Sequence, residues 1–133
     1  MRDTGDAFHL AIPARDLDAA AHFYNQQLGC QIARRYADRI TFNFFGDQLV
    51  CHLSPDEPVA EPTLYPRHFG VTFRERADFD ALLRLVEIRK VQVFRPVRLR
   101  FEGTIEEHST VVLRDPTDNL LEFKYYADHR MMY

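Results

Sequence analysis

The sequence predicts an α+β fold: two tandem βαβββ modules whose sheets curl into half-barrels around a cleft. Three observations predict it. The segment order strand, helix, three strands occurs twice, on either side of a proline-rich stretch. Each copy opens on a strand carrying a histidine, His9 or His68, 59 residues apart and each followed two residues later by a very small side chain, Ala11 or Gly70. Each copy closes on a matching strand. Val50-Cys51-His52-Leu53 aligns with Leu120-Leu121-Glu122-Phe123 at an offset of 70, so His52 and Glu122 are expected at equivalent positions. An internal repeat of this kind sets the fold.

The elements follow in order. Residues 7–13 alternate, with Phe8, Leu10 and Ile12 on one face and His9 and Ala11 on the other; period two is a half-buried strand, expected to end at Pro13. Asp16 stands where an N-cap belongs. Leu17, Ala20, Ala21, Tyr24 and Leu28 form a helical stripe, stopped by Gly29. Residues 30–36, 39–45 and 48–53 read as strands, the last two joined by a turn at Gly46-Asp47. Module 1 thus covers about 7–54. Pro55, Pro58, Pro62 and Pro66 make 55–66 a linker. Module 2, about 67–126, opens with the strand Arg67–Phe73. A helix over about 77–90 follows, its stripe set by Phe79, Leu82, Leu83, Val86 and Lys90. Then come an extended 92–101 interrupted by Pro96, a loop at 102–104, a strand near 108–114, a turn at 115–119 and a last strand to about Tyr125. The tail, Asp128–Tyr133, is expected to fray or to pack on a partner chain.

Composition bounds the rest. A chain of 133 residues is read as a single domain, 1–133. At this length it can bury roughly 65–70% of its unfolded surface. Apolar residues make up 46%, with 11 Phe and 6 Tyr, which excludes a disordered chain. The net charge is −3, so no electrostatic footprint points to nucleic acid or an anionic membrane. No apolar run approaches the ~18 residues of a membrane span. The polar, acidic N-terminus has no apolar stretch of signal-peptide type. Two cysteines are too few for a disulfide framework, so the expected compartment is the reducing cytoplasm.

Strand parity sorts the polar residues. Leu49, Cys51 and Leu53 share one face and Gln48, Val50 and His52 the other. Leu121, Phe123 and Tyr125 share one face and Leu120, Glu122 and Lys124 the other. The apolar face of each sheet must pack on its helix. The opposite faces then carry His9, His52, His68 and Glu122. Imidazole and carboxylate donors suit Fe(II), Mn(II), Zn(II) or Ni(II), and two histidines with one carboxylate leave coordination positions open. The competing reading, a set of ordinary polar strand residues, is weakened by their matched placement in two repeats.

The chain resembles the vicinal oxygen chelate superfamily: glyoxalase I, fosfomycin-resistance thiol transferases, bleomycin-binding proteins and extradiol dioxygenases. Phe8-His9-Leu10-Ala11-Ile12-Pro13, Asp16-Leu17-Asp18-Ala19-Ala20, Phe23-Tyr24 and Leu28-Gly29 carry the resemblance. So do His68-Phe69-Gly70-Val71 and Asp115-Pro116-Thr117-Asp118-Asn119-Leu120-Leu121-Glu122-Phe123. Phe44-Phe45-Gly46, Gln48 to Leu53 and Arg100 to Thr104 are most similar to small extradiol-type dioxygenases. That resemblance implies His9, His68 and Glu122 as metal ligands, with Fe(II) favoured over Mn, Zn or Ni. It implies a catechol-like substrate, dioxygen as co-substrate, and a homodimer with the site built within one chain or across two. His52 falls where glyoxalase I places a carboxylate, which weakens a lyase reading. His52 and His108 are candidate bases for the substrate hydroxyl proton, and Arg100 is a candidate partner for a substrate carboxylate. The loop after Thr104, Ile105-Glu106-Glu107-His108, departs from the usual family pattern. The alternatives are a metal-free drug-binding or resistance protein and a glyoxalase-type isomerase or lyase, since one scaffold hosts many reactions.

The remaining signals read as structural. Cys51 adjoins His52, but neighbouring strand residues point to opposite faces, so it is read as a buried thiol. Residues 115–119 lack the spacing of a calcium loop. Arg95, Arg98 and Arg100 are read as the wet face of a strand, and His22 and His129 as surface residues.

Overall fold

The computed structural model describes Met1–Tyr133. Its elements are β1 (His9–Ala14), α1 (Leu17–Ala21) continued by a π-helical turn (His22–Gln27), β2 (Gln31–Arg35), β3 (Arg39–Phe44) and β4 (Asp47–Leu53). Module 2 holds β5 (Phe69–Phe73), α2 (Arg76–Ile88), β6 (Val93–Arg100), β7 (His108–Arg114) and β8 (Leu120–Tyr126). The two four-stranded sheets have equivalent orders, β1-β4-β3-β2 and β5-β8-β7-β6. In each the first and last strands of the module pair in parallel and the others antiparallel. Neither sheet closes into a barrel. The α+β architecture of tandem βαβββ modules is the one the repeat predicts.

Local chemistry sets the boundaries. Asp16 caps α1, its side chain accepting from the Ala19 N–H. The helix then widens: the Leu28 N–H bonds to the Phe23 carbonyl, five residues back. A single α-helix over this stretch was the expectation; the π turn instead lets Phe23 and Tyr24 both reach the core. Strand β1 runs through Pro13 to Ala14 rather than ending at the proline. It is an edge strand, where a missing N–H costs no ladder bond. Pro96 is accommodated likewise on edge strand β6, which bulges between Val93 and Arg98. The β3–β4 hairpin turns through Phe45 and Gly46, both at positive φ. Helix α2 stops before Lys90, which is left-handed and exposed and does not extend the apolar stripe. The tail does not fray: Asp128 caps a short 3-10 turn, His129–Met132.

One core joins the modules. Leu49 and Cys51 from β4, Leu121 and Phe123 from β8, Phe23 and Tyr24 from the first helix and Phe79 from α2 lie in a single buried cluster. Phe44 packs on Phe69 and Phe123 across the seam, at centroid distances of 5.7 and 6.3 Å. The Tyr24 hydroxyl donates to Asp115 at 2.7 Å, and Arg15 reaches Asp118 and two linker carbonyls. The helix-bearing faces of both sheets are thus buried against each other. The opposite faces, which carry the histidines, point away from the shared core.

Candidate metal centre

Residue register builds the site. In module 2 Gly70 on β5 lies opposite Glu122 on β8. His68 is two residues before Gly70, so its ring meets the Glu122 carboxylate: His68 Nε2 and Glu122 Oε2 are 3.1 Å apart. Glu122 is buried, and its Oε1 accepts from Thr110 on β7 at 2.8 Å. Lys124 Nζ stands 3.3 Å from Oε2. His68 Nδ1 donates to the Leu64 carbonyl at 2.7 Å.

That last contact decides what the ring can do. A carbonyl only accepts, so Nδ1 carries the hydrogen and Nε2 is the ring atom left to meet the carboxylate. Nε2 faces a carboxylate oxygen, an approach that a shared proton or a metal cation between them satisfies. A metal bound at about 2.1 Å to both would place N and O about 3.0 Å apart for a right-angled pair. The donor set therefore fits a divalent ion. The supporting contacts, carbonyl to imidazole and hydroxyl to carboxylate, are the kind that fix ligand orientation.

Module 1 repeats half of this arrangement. His9 is exposed on β1, its Nδ1 hydrogen-bonded to the Gln48 side chain. Val50 lies opposite Ala11, as Glu122 lies opposite Gly70. Val50 is thus the counterpart of Glu122, and the true offset is 72 rather than 70. His52 pairs with Pro13 as Lys124 pairs with Thr72. It is exposed and lies four residues beyond Gln48, about 13 Å along the strand from His9's level. No group of three His, Cys, Asp or Glu side chains within the chain is placed to hold a metal. His68 and Glu122 come together; His9 does not join them.

The other sequence-chosen residues lie on module 2. His108 is buried opposite Tyr126, with ring centroids 4.6 Å apart, and Phe101 lies at 5.8 Å. Its Nδ1 bonds to the Glu106 carbonyl, which leaves Nε2 free. Arg100 lies opposite His108, stands over Phe101 and meets the Tyr65 hydroxyl at 3.4 Å. Tyr65 in turn sets its edge against His68 at 5.8 Å. Sequence reasoning missed Thr110, Lys124 and Tyr65. The alternation of β7 and β8 carries a signal for the first two; nothing local marks the third, which the linker delivers. A groove of about 870 Å³ runs along the seam from Leu10 and Pro13 past the linker to His68. Both thiols are out of the chemistry: burial pushes Cys30 up to about 12 and Cys51 higher still.

The sequence model described as the Glyoxalase/Bleomycin resistance protein/Dioxygenase superfamily matches residues 7–123. The chain belongs to this superfamily. A glyoxalase/bleomycin resistance protein/dioxygenase from Alicyclobacillus acidocaldarius is 60% identical with a TM-score of 0.94, each chain covered in full. A lactoylglutathione lyase from Agrobacterium tumefaciens shares the fold at 18% identity and a TM-score of 0.67, with 93% of this chain and 96% of that one covered. A genomically encoded fosfomycin resistance protein from Listeria monocytogenes does so at 14% and 0.72, with 96% and 98% covered. No curated protein matches the chain. No helix is long and apolar enough to cross a membrane.

Proposed function

We propose that this superfamily member is a metal-dependent enzyme, an Fe(II) extradiol-type dioxygenase acting on a small catechol-like substrate. The observation that carries the metal reading is the 3.1 Å approach of His68 Nε2 to Glu122 Oε2, with Nδ1 already committed to a carbonyl. His68 and Glu122 hold the ion, and His9 of the partner subunit supplies the third ligand in a homodimer. A dimer answers the geometry because His9 and the His68–Glu122 pair lie on faces turned away from the common core. Bound there, the ion supplies Lewis acidity and one coordination sphere for vicinal oxygens and dioxygen. The extradiol assignment itself rests on the sequence resemblance around Phe44-Phe45-Gly46 and Arg100 to Thr104.

The chain's own residues do the rest. Thr110 holds the Glu122 carboxylate in one orientation. His108, its Nδ1 committed to a carbonyl, offers Nε2 to take the substrate hydroxyl proton. His52, exposed on the corresponding face of module 1, is the second candidate for that proton. Arg100 orients the bound molecule. Two buried free thiols suit a reducing cytoplasm.

The test is elemental analysis of protein purified without oxygen or chelator, beside Glu122→Ala. Near-stoichiometric iron in the parent alone, followed by oxygen uptake with catechols, is the expected result. Zinc or nickel in place of iron moves the reading to isomerase or lyase chemistry. No metal even after Fe(II) addition makes the protein a metal-free binder. Full metal content in Glu122→Ala refutes the ligand assignment.

A further inference from the structure

The sheet of module 2 presents more than the ligand pair. Strand partners project to the same face, so the register can be read across the sheet. Gly70, Glu122, Val112 and Arg95 form one row; Thr72, Lys124, Thr110 and Arg98 the next; Tyr126, His108 and Arg100 the third. The hydrogen bond from Thr110 to Glu122 places the first two rows on one face. Arg98, Arg100 and Lys124 therefore share the face of the candidate metal centre.

Two of these three cations have no carboxylate partner. Seven arginines of the chain pair with a carboxylate within 4.0 Å, but neither Arg98 nor Arg100 does. Arg100, half-buried, donates only to a neutral phenol. The one carboxylate that Lys124 contacts is the candidate ligand Glu122. Arg98 and Arg100 thus stand without a carboxylate partner on the face that carries Glu122. With strands about 4.8 Å apart, Arg98 and Lys124 flank Thr110 at about 10 Å between backbones, a gap their side chains span toward an anion between them.

We propose that the substrate carries an anionic arm, a carboxylate, which docks on Arg98, Arg100 and Lys124 while its vicinal oxygens address the His68–Glu122 end. This rests on the reading of that end as the reacting site and names its substrate class: an acidic catechol rather than a neutral one. A carboxylate pairs bidentately with guanidinium, giving both affinity and orientation.

The test compares two probes with the same vicinal oxygens, 3,4-dihydroxybenzoate and its neutral amide, by calorimetry on the full-length protein carrying redox-silent Zn(II). The carboxylate is expected to bind at least about tenfold more tightly than the amide. The double variant Arg98→Gln, Arg100→Gln, both exposed or half-buried on an edge strand, should erase that preference, bringing the two probes to equal affinity. The double variant Arg34→Gln, Arg84→Gln, at two exposed positions away from this face, changes the net charge equally and should leave the preference intact. Equal binding of the two probes, no binding of the carboxylate, or a preference that survives the double variant overturns the proposal. Metal content is measured separately. A carboxylate preference that persists in metal-free protein keeps this inference and tells against the metal-enzyme reading.

Discussion

Replacing Gly70 by alanine tests how the fold makes the site. Gly70 lies opposite Glu122 in the parallel β5–β8 pair. A Cβ added there would sit 2.7 Å from the Glu122 carbonyl carbon and 3.1 Å from its nitrogen, and closer still to its oxygen. Carbon atoms rest at about 3.5–4.0 Å, so the strands must part by roughly 1 Å at this point. Overpacking of this kind costs about 1–3 kcal/mol, and losing a ladder bond adds about 1 kcal/mol, giving about 2–4 kcal/mol in all. The same displacement separates the backbone of Glu122 from the strand that His68 leads into, so metal should be lost as well. Urea unfolding gives the stability and elemental analysis the metal content. Ala11→Gly is the control: alanine already stands at the equivalent position of module 1, and its removal should cost only the roughly 0.5–1 kcal/mol of a strand glycine. A loss below about 0.5 kcal/mol for Gly70→Ala, with metal retained, would show that the close approach does not constrain the site.

Four further outcomes follow from the same geometry. Mixing His9→Ala with Glu122→Ala should restore about a quarter of the parent's metal content, because half the dimers are mixed and each mixed dimer has one intact site; no restoration would place the whole site within one chain. Thr110→Val frees one carboxylate oxygen of Glu122 and should weaken metal binding about 10- to 100-fold, read by competition with a chelator, while the fold persists. Tyr24→Phe removes a buried hydrogen bond to a carboxylate and should cost about 1.5–3 kcal/mol at neutral pH. Burial raises the Asp115 pKa above its ordinary value against the pull of Tyr24 and Asn119. Protonated Asp115 is therefore favoured by folding: its contribution to stability is full below the unfolded carboxylate's pKa and is lost as pH rises through the folded one. The penalty of Tyr24→Phe should shrink on acidification through that range, and urea melts at several pH values would expose a flat profile. Cys30 and Cys51, raised by burial, should resist a thiol reagent in the native protein and react on unfolding.

The repeat was legible in the sequence because it is written in local periodicities. His9 and His68 each precede a small residue by two positions, and Asp16 and Gly29 bracket the first helix, signals that each lie within a single element or at its ends. Phase was harder. The offset between Val50 and Glu122 depends on how far each parallel pair is staggered, and loop lengths hide a shift of two. Hence His52 was matched to Glu122 when Lys124 is its counterpart. The π turn is not written in the helix's local pattern; it accompanies the burial of both Phe23 and Tyr24 in the shared core.

By itself the sequence determined two βαβββ units, their linker, and which side chains share a face of each sheet, because strand alternation is a property of the backbone alone. Only the tertiary structure decided which faces meet. The helix-bearing faces fuse into one aromatic core, since that is where both modules have apolar surface to remove from water. That choice turns the histidine faces outward, brings His68 to Glu122 but not to His9, and gathers Arg98, Arg100 and Lys124 beside them. Such contacts join residues tens of positions apart, and no local pattern of the chain encodes them.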